Sequence, residues 1–287
     1  MHTQFDALII GFGKAGKTLA VALAGAGQRV ALVEQSPQMY GGTCINIACI
    51  PTKTLVSAAA AGRSIDEAFA RKTAVVTKLN NKNYHMLADN PGVMVIDGVA
   101  SFVDAHTVSV QAGEQHIELQ ADRLFINTGA VPVMPAIAGL EQSAHVYTST
   151  EVLNQQLKPQ RLAVIGAGPI GLEFASTYAA LGVAVTLYHR RAQLLPHEES
   201  SVAQAVAQAL EEQGITLVLA SDIQQVRDTD HGVAVMSGSD EQVYDAVLVA
   251  AGRRPNTSQL GLAAAGVETD ERGAIVVNDH LQTTQPH

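Results

Sequence analysis

Short apolar runs, each closed by a glycine turn and followed by a helix-period stretch, set the rhythm of this chain. Residues 6–34 read DALIIGFGKAGKTLAVALAGAGQRVALVE, and residues 161–189 read RLAVIGAGPIGLEFASTYAALGVAVTLYH. Each predicts an apolar strand, a G-x-G-x-x-G turn, an Ala-rich amphipathic helix, a glycine and a second apolar strand. The two align without a gap, so that Gly11, Gly13 and Gly16 match Gly166, Gly168 and Gly171. Residues 50–88 predict helix, with an amphipathic, charge-bearing stretch from Ser64 to Leu87. Residues 93–127 alternate as β-structure in VMVI, TVSVQA and HIELQADRLFIN, parted by Gly and Asp turns. PVMPAIAGLEQ (132–142) is a Pro/Gly-rich link. Beyond it, 203–212 predicts a helix, and TLVLA, GVAVM and DAVLVAAG predict strands. Strands alternating with helices in two similar units predict an α/β protein.

The glycine spacing carries chemistry. The first Gly permits a tight turn, the second lets backbone approach a pyrophosphate, and the third lets helix and strand pack closely. The helix that follows offers free N–H groups and the positive end of its dipole to phosphate. One such turn says little, whereas two in strand–turn–helix–strand context predict two nucleotide sites. The ends of the second strands separate the ligands. Glu34 follows Gly16 by 18 residues, where a carboxylate accepts from a ribose hydroxyl pair. At the same distance from Gly171 stand His189, Arg190 and Arg191. An acid there would repel a 2′-phosphate and a guanidinium would bind it. The first site is therefore expected to take an unphosphorylated adenosine and the second NADPH in preference to NADH.

Composition narrows the class. The 287 residues are 47% hydrophobic and 4% aromatic, with 24 Gly and no Trp, long enough for two domains with cores. Net charge is −9, with no basic run, which argues against nucleic acid and an anionic membrane as partners. No signal peptide or membrane span is expected, and a cytoplasmic location follows. Both cysteines, Cys44 and Cys49, fall in GGTCINIACIPTK (41–53). From the residues alone they could be a staple, half a metal site, two core residues or a redox-active pair.

These stretches, in this order, resemble the FAD-dependent pyridine nucleotide–disulphide oxidoreductases, the family of glutathione reductase, dihydrolipoamide dehydrogenase and mercuric reductase. The signposts are the first glycine motif with Glu34, then GGTCINIACIPTK, INTGAVPVMPAIAG (126–139), the second glycine motif with Glu173, and VAAGRRPNTSQLGL (249–262). GFGKAGKTLA, MYGGTCINI and ERGAIVV are similar to the reactive chlorine resistance protein A branch, which is akin to mercuric reductases and associated with reduction of metal ions such as Cu(II).

The resemblance implies two Rossmann-like domains. An FAD domain of residues 1–147 is completed by 259–287, and an NADPH domain, 148–258, is inserted into it. FAD would lie against the first glycine motif, Gly42, Thr43, Thr128 and Gly129, and NADPH against the second motif and Gly252. Cys44 and Cys49 would form the redox disulfide, with Cys49 next to the flavin and Cys44 meeting the substrate. Lys53 would sit under the isoalloxazine and pair with Glu173. Zinc needs about four ligands, usually at C-x2–4-C spacing, and no His or Cys neighbours this pair to supply them. No resident metal site is predicted. The acceptor would be a small molecule or metal ion; a disulfide reductase, a dihydrolipoamide-type dehydrogenase and a non-catalytic nucleotide-binding remnant are the competing readings. Full-length members are homodimers through a domain beyond the position matching residue 287. The resemblance thus implies a shortened chain, for which neither the dimer nor efficient turnover in isolation is expected.

Overall fold

Alternation along the strand Gln4–Ile10 explains the centre of the fold. Ala7 and Ile9 enter one apolar cluster, Leu8 and Ile10 another, and Val30–Glu34 beside it divides in the same way. A strand buried on both faces is what a parallel sheet between two layers requires. The computed structural model describes residues 3–287. It divides into a first unit of residues up to 50, 74–131 and 254–287, and a second of 51–73 and 132–253.

In the first unit six strands run in the order Val93–Asp97, Val30–Glu34, Gln4–Ile10, Gln115–Ile126, Thr107–Ala112, Val99–Phe102. The first four are mutually parallel and the last two join antiparallel. The helix Lys14–Gly25 is the crossover from the central strand to its neighbour. Residues 254–287 return to this unit, burying Leu260, Leu262 and Ala265 in its core.

The second unit repeats the plan. Thr216–Val218, Ala184–Tyr188, Arg161–Ile165, Ala246–Val249 and Val146–Thr148 form a parallel sheet in that order. Pro169–Ala180 is the crossover after its central strand. Val146–Thr148 runs into Ser149–Asn154 through a capping box, in which Thr148 and Glu151 satisfy each other's backbone N–H groups.

Among the described residues, six strands go beyond the sequence pattern, including the three-residue strands Ala130–Pro132, Val146–Thr148 and Arg253–Pro255. Val99–Phe102 forms the edge of the first sheet. Ile223–Thr229 and Asp240–Tyr244 flank Gly232–Ser237 in an antiparallel ladder. These two bury only Val226 and Tyr244, too few positions to show a period. The sequence-based boundary at 147/148 also differs from the packing. Leu140, in the Pro/Gly-rich link, is fully buried with Val226, Val233 and Val247 of the second unit. Leu55 and Phe69 likewise join Leu162 and Phe174. Thr43–Ala60 is long and apolar enough to cross a membrane by length and composition alone. It is broken into two helices, Thr43–Asn46 and Cys49–Ala60, and carries Lys53 in an ion pair.

Candidate functional site

In each unit the sheet order reverses beside its central strand, the place where an open α/β sheet leaves a crevice at the strands' carboxyl ends. In the first unit the crevice is a cavity of about 560 Å³, lined by Gly11, Gly13, Glu34, Gly42, Thr43, Cys44, Thr128 and Gly129 among others. The three glycines of the turn do different work. A Cβ on Gly11 would lie 2.3 Å from the Asn127 carbonyl oxygen, and one on Gly16 would lie 2.2 Å from that of Gly11. A Cβ on Gly13 would meet only the Asn127 oxygen, at 3.9 Å. The outer glycines thus serve packing, and the middle one leaves room on the cavity side. Gly13 caps Lys14–Gly25 without a side-chain hydrogen bond, so that helix's free N–H groups have no side-chain acceptor there.

Glu34 ends the second strand, buried, and accepts from the Phe12 N–H (2.9 Å) and the Ser36 N–H (3.2 Å). Burial pushes its carboxyl above the ordinary range, and these backbone donors partly offset that. The Gln35 N–H adds a third backbone donor, and a carboxylate's roughly four acceptor sites still leave room for a hydroxyl donor.

Gly41 and Gly42 hold φ of 92° and 77°, and a Cβ on Gly42 would lie 2.5 Å from Gly13 Cα. The cysteine segment is thereby pressed against the glycine turn. Asn46, buried, donates to the carbonyls of Tyr40 (3.0 Å) and Gly42 (2.9 Å). Asn80, from the helix Ile65–Ala88, donates to the Asn46 side chain at 3.0 Å and to the Gln38 carbonyl at 3.0 Å. Tyr40 donates to Asp97 at 2.6 Å. Sequence reasoning missed this polar scaffold of Tyr40, Asn46, Asn80 and Asp97. Asn46, inside the cysteine motif, was the one legible clue.

Cys44 and Cys49 are free thiols, Cys44 half-buried and Cys49 exposed at the first residue of Cys49–Ala60. They are hydrogen-bonded to one another. That bond, then burial, hold the Cys44 thiol above its ordinary value, while Lys14 and Lys17 pull it down. Cys44, not Cys49, lines the cavity.

The second unit's cavity, about 680 Å³, is lined by Gly166, Gly168, His189, Arg190, Arg191 and Gly252 among others. The glycine pattern recurs. A Cβ on Gly171 would lie 1.8 Å from the Gly166 oxygen and one on Gly166 2.5 Å from that of Ala250, whereas Gly168 has nothing within 4 Å. Gly168 too is an N-cap without a side-chain bond. Gly252 has φ 120°, a conformation that favours glycine. His189 Nε2 is buried without a hydrogen-bond partner. Burial lowers the pKa of this imidazole, Arg191 and Arg190 add to that, and a backbone hydrogen bond at Gln193 opposes it. Lys53 Nζ lies 2.7 Å from Glu173 Oε1, beside a third, smaller cavity.

Both crevices fit a dinucleotide. Each pairs an uncapped helix N-terminus with a middle glycine whose missing side chain leaves space. The first adds a buried carboxylate with spare acceptor capacity, and the second two cations and an orphaned ring nitrogen.

The sequence pattern of the family described as "Pyridine nucleotide-disulphide oxidoreductase" matches residues 5–287. The chain is 46% identical over 281 residues to the probable pyridine nucleotide-disulfide oxidoreductase RclA of Escherichia coli (strain K12), covering 98% of this chain and 64% of that protein. It is 37% identical over 302 residues to a mercuric reductase of Lysinibacillus sphaericus, covering 98% of this chain and 54% of that one. The Cu(II) complex of HOCl-induced flavoprotein disulfide reductase RclA from Escherichia coli superposes with a TM-score of 0.97 at 46% identity, over 99% of this chain and 64% of that chain. The chain therefore spans less than two thirds of the length of these relatives.

Proposed function

Because the chain belongs to the pyridine nucleotide-disulphide oxidoreductase family, a family of flavin- and pyridine-nucleotide-dependent oxidoreductases, we propose that it passes electrons from NADPH to a Cys44–Cys49 redox pair and on to a metal-ion acceptor such as Cu(II) or Hg(II). The observation that carries this reading is the pair itself. Two thiols share a hydrogen bond, and one of them lines the cavity built on the first glycine turn.

When bound, NADPH supplies a hydride and FAD carries its two electrons onward. The chain's residues hold and orient. Glu34 would accept hydrogen bonds from the ribose hydroxyls, and the N–H groups after Gly13, with Gly42 and Thr43, would hold the pyrophosphate, with Thr128 and Gly129 lining the same cavity. In the second unit Gly166, Gly168, Gly171 and Gly252 shape the nicotinamide nucleotide's cradle. Arg190 and Arg191 take the 2′-phosphate, and His189 offers its spare nitrogen. As the family likeness implies, the Lys53–Glu173 pair would tune the charge felt by the flavin and the nicotinamide. The disulfide takes up two electrons and two protons to become two thiols. It re-forms as those two electrons pass to the acceptor, reducing two Cu(II) to Cu(I) or one Hg(II) to Hg(0), and the two protons return to solvent. Soft thiolates suit such ions.

The metal-ion acceptor is supported by the likeness to a mercuric reductase and to a flavoprotein solved as its Cu(II) complex. A disulfide acceptor would use the same pair, and a cytoplasmic setting, where the disulfides that form are usually transient and catalytic, completes the reading. The test is anaerobic NADPH oxidation by the flavin-loaded chain with Cu(II), Hg(II) or glutathione disulfide as acceptor. Metal-dependent oxidation is expected, and oxidation with the disulfide alone would overturn the metal assignment. Arg190→Glu is expected to lower the preference for NADPH over NADH by about ten- to a hundredfold, the scale of one charge-assisted hydrogen bond. An unchanged preference would refute the role given to this arginine.

A further inference from the structure

The first glycine turn carries two lysines, Lys14 and Lys17, that its counterpart in the second unit lacks; Pro169 and Leu172 stand there. Leu172 packs against the apolar core of its unit. Lys17 occupies the equivalent helix position and is 9% exposed. A buried ammonium is costly unless something answers its charge. Its hydrogen-bond partner is a neutral amide, the side-chain oxygen of Asn83. Among the described residues no ion pair includes Lys17. Lys14 lines the first cavity and Lys17 does not, so a phosphate bound there is not its evident partner.

The surrounding geometry points to a sulfur. Asn83 also donates to the Leu79 carbonyl at 2.6 Å, which fixes its amide. That amide lies against Gly41, where a Cβ would meet its Cγ at 3.0 Å and its Nδ2 at 3.1 Å. The Lys17 N–H bonds the Gly13 carbonyl (3.0 Å), and Gly13 in turn touches Gly42, two residues before Cys44. Lys17 is thus clamped from both sides against the segment that presents Cys44. The groups that act on Cys44 through their charge are Cys49, Lys14 and Lys17. Lys14 is exposed and screened by water, whereas Lys17 is not. Reciprocally, burial and Lys14 depress the Lys17 ammonium while Cys44 supports it.

We propose that Lys17 is the built-in countercharge of the redox pair, a positioning residue that Asn83 holds in place to stabilise the thiolate form of Cys44. This rests on the reading that Cys44 cycles between disulfide and thiolate. The thiolate is the form that attacks a disulfide and ligates a soft metal ion. Removing the cation should leave the sulfur protonated to higher pH.

The experiment is pH-dependent alkylation by iodoacetamide of the flavin-loaded chain reduced with dithiothreitol, with Cys44 and Cys49 quantified separately by mass spectrometry. In Lys17→Met the Cys44 midpoint is expected to rise by about one pH unit, the order of effect of one poorly screened charge, and Lys17→Arg is expected to restore it. Asn83→Asp keeps Lys17 and its hydrogen bond but neutralises its field, so the same upward shift is expected even if Lys17→Met does not fold. A wild-type midpoint in folded Lys17→Met or in Asn83→Asp overturns the proposal. Because the reductant is dithiothreitol, this outcome is independent of whether NADPH reduces the pair.

Discussion

Serine at position 49 is expected to leave the flavin bound and bring NADPH-dependent acceptor reduction down to background, whatever the rate of the parent chain, since removing one member of a unit that works together costs nearly the whole effect. Cys44→Ser is expected to lose turnover equally. The variants should part in their absorption. If Cys49 is the sulfur beside the flavin, chemically reduced Cys44→Ser followed by flavin reoxidation retains a long-wavelength band, and Cys49→Ser does not. The cavity of the first unit is lined by Cys44 rather than Cys49, so the reverse pattern would exchange the two roles. Turnover surviving in both variants would remove the pair from the reaction.

The second large effect separates the glycines that serve the fold from those that serve a ligand. Gly171→Ala would place a Cβ 1.8 Å from the Gly166 carbonyl oxygen. Backbone cannot yield there as a side chain would, so a loss of about 2–4 kcal/mol is expected in urea unfolding. Gly168→Ala meets nothing within 4 Å, at an ordinary φ of −77°. Its stability is expected to stay within about 1 kcal/mol of the parent, the scale of an N-cap change. The new methyl would nevertheless occupy the face that a pyrophosphate approaches. NADPH titration is expected to show about ten- to a hundredfold weaker binding, or roughly 1.4–2.7 kcal/mol. Normal affinity in Gly168→Ala would detach the second glycine turn from the nucleotide. Gly171→Ala of unchanged stability would contradict the close helix–strand contact.

Both glycine turns, their flanking strands and the cysteine motif were legible because each depends on local spacing. Gly16 must lack a side chain whatever surrounds it, since the clash is with Gly11 of its own turn. The Lys53–Glu173 pair spans 120 residues and was reachable only through the resemblance. Of the scaffold behind Cys44, Asn46 alone stood inside a recognisable motif. Asn80 and Asn83 lie on what reads as the polar face of an amphipathic helix, and only folding reveals that one grips the cysteine loop and the other Lys17. Leu140 shows the same limit from the other side. One apolar residue among prolines and glycines has no period, yet it is fully buried and draws its link into the second unit.

The central claim is that NADPH opens the Cys44–Cys49 pair. The most direct measurement counts the free thiols of the oxidised, flavin-loaded chain before and after anaerobic NADPH, by alkylation and mass spectrometry of the two cysteine peptides. Both cysteines are expected to be unreactive beforehand and both alkylated afterwards, a gain of two thiols per chain. Bound flavin and bleaching by NADPH with no gain at either cysteine would contradict it.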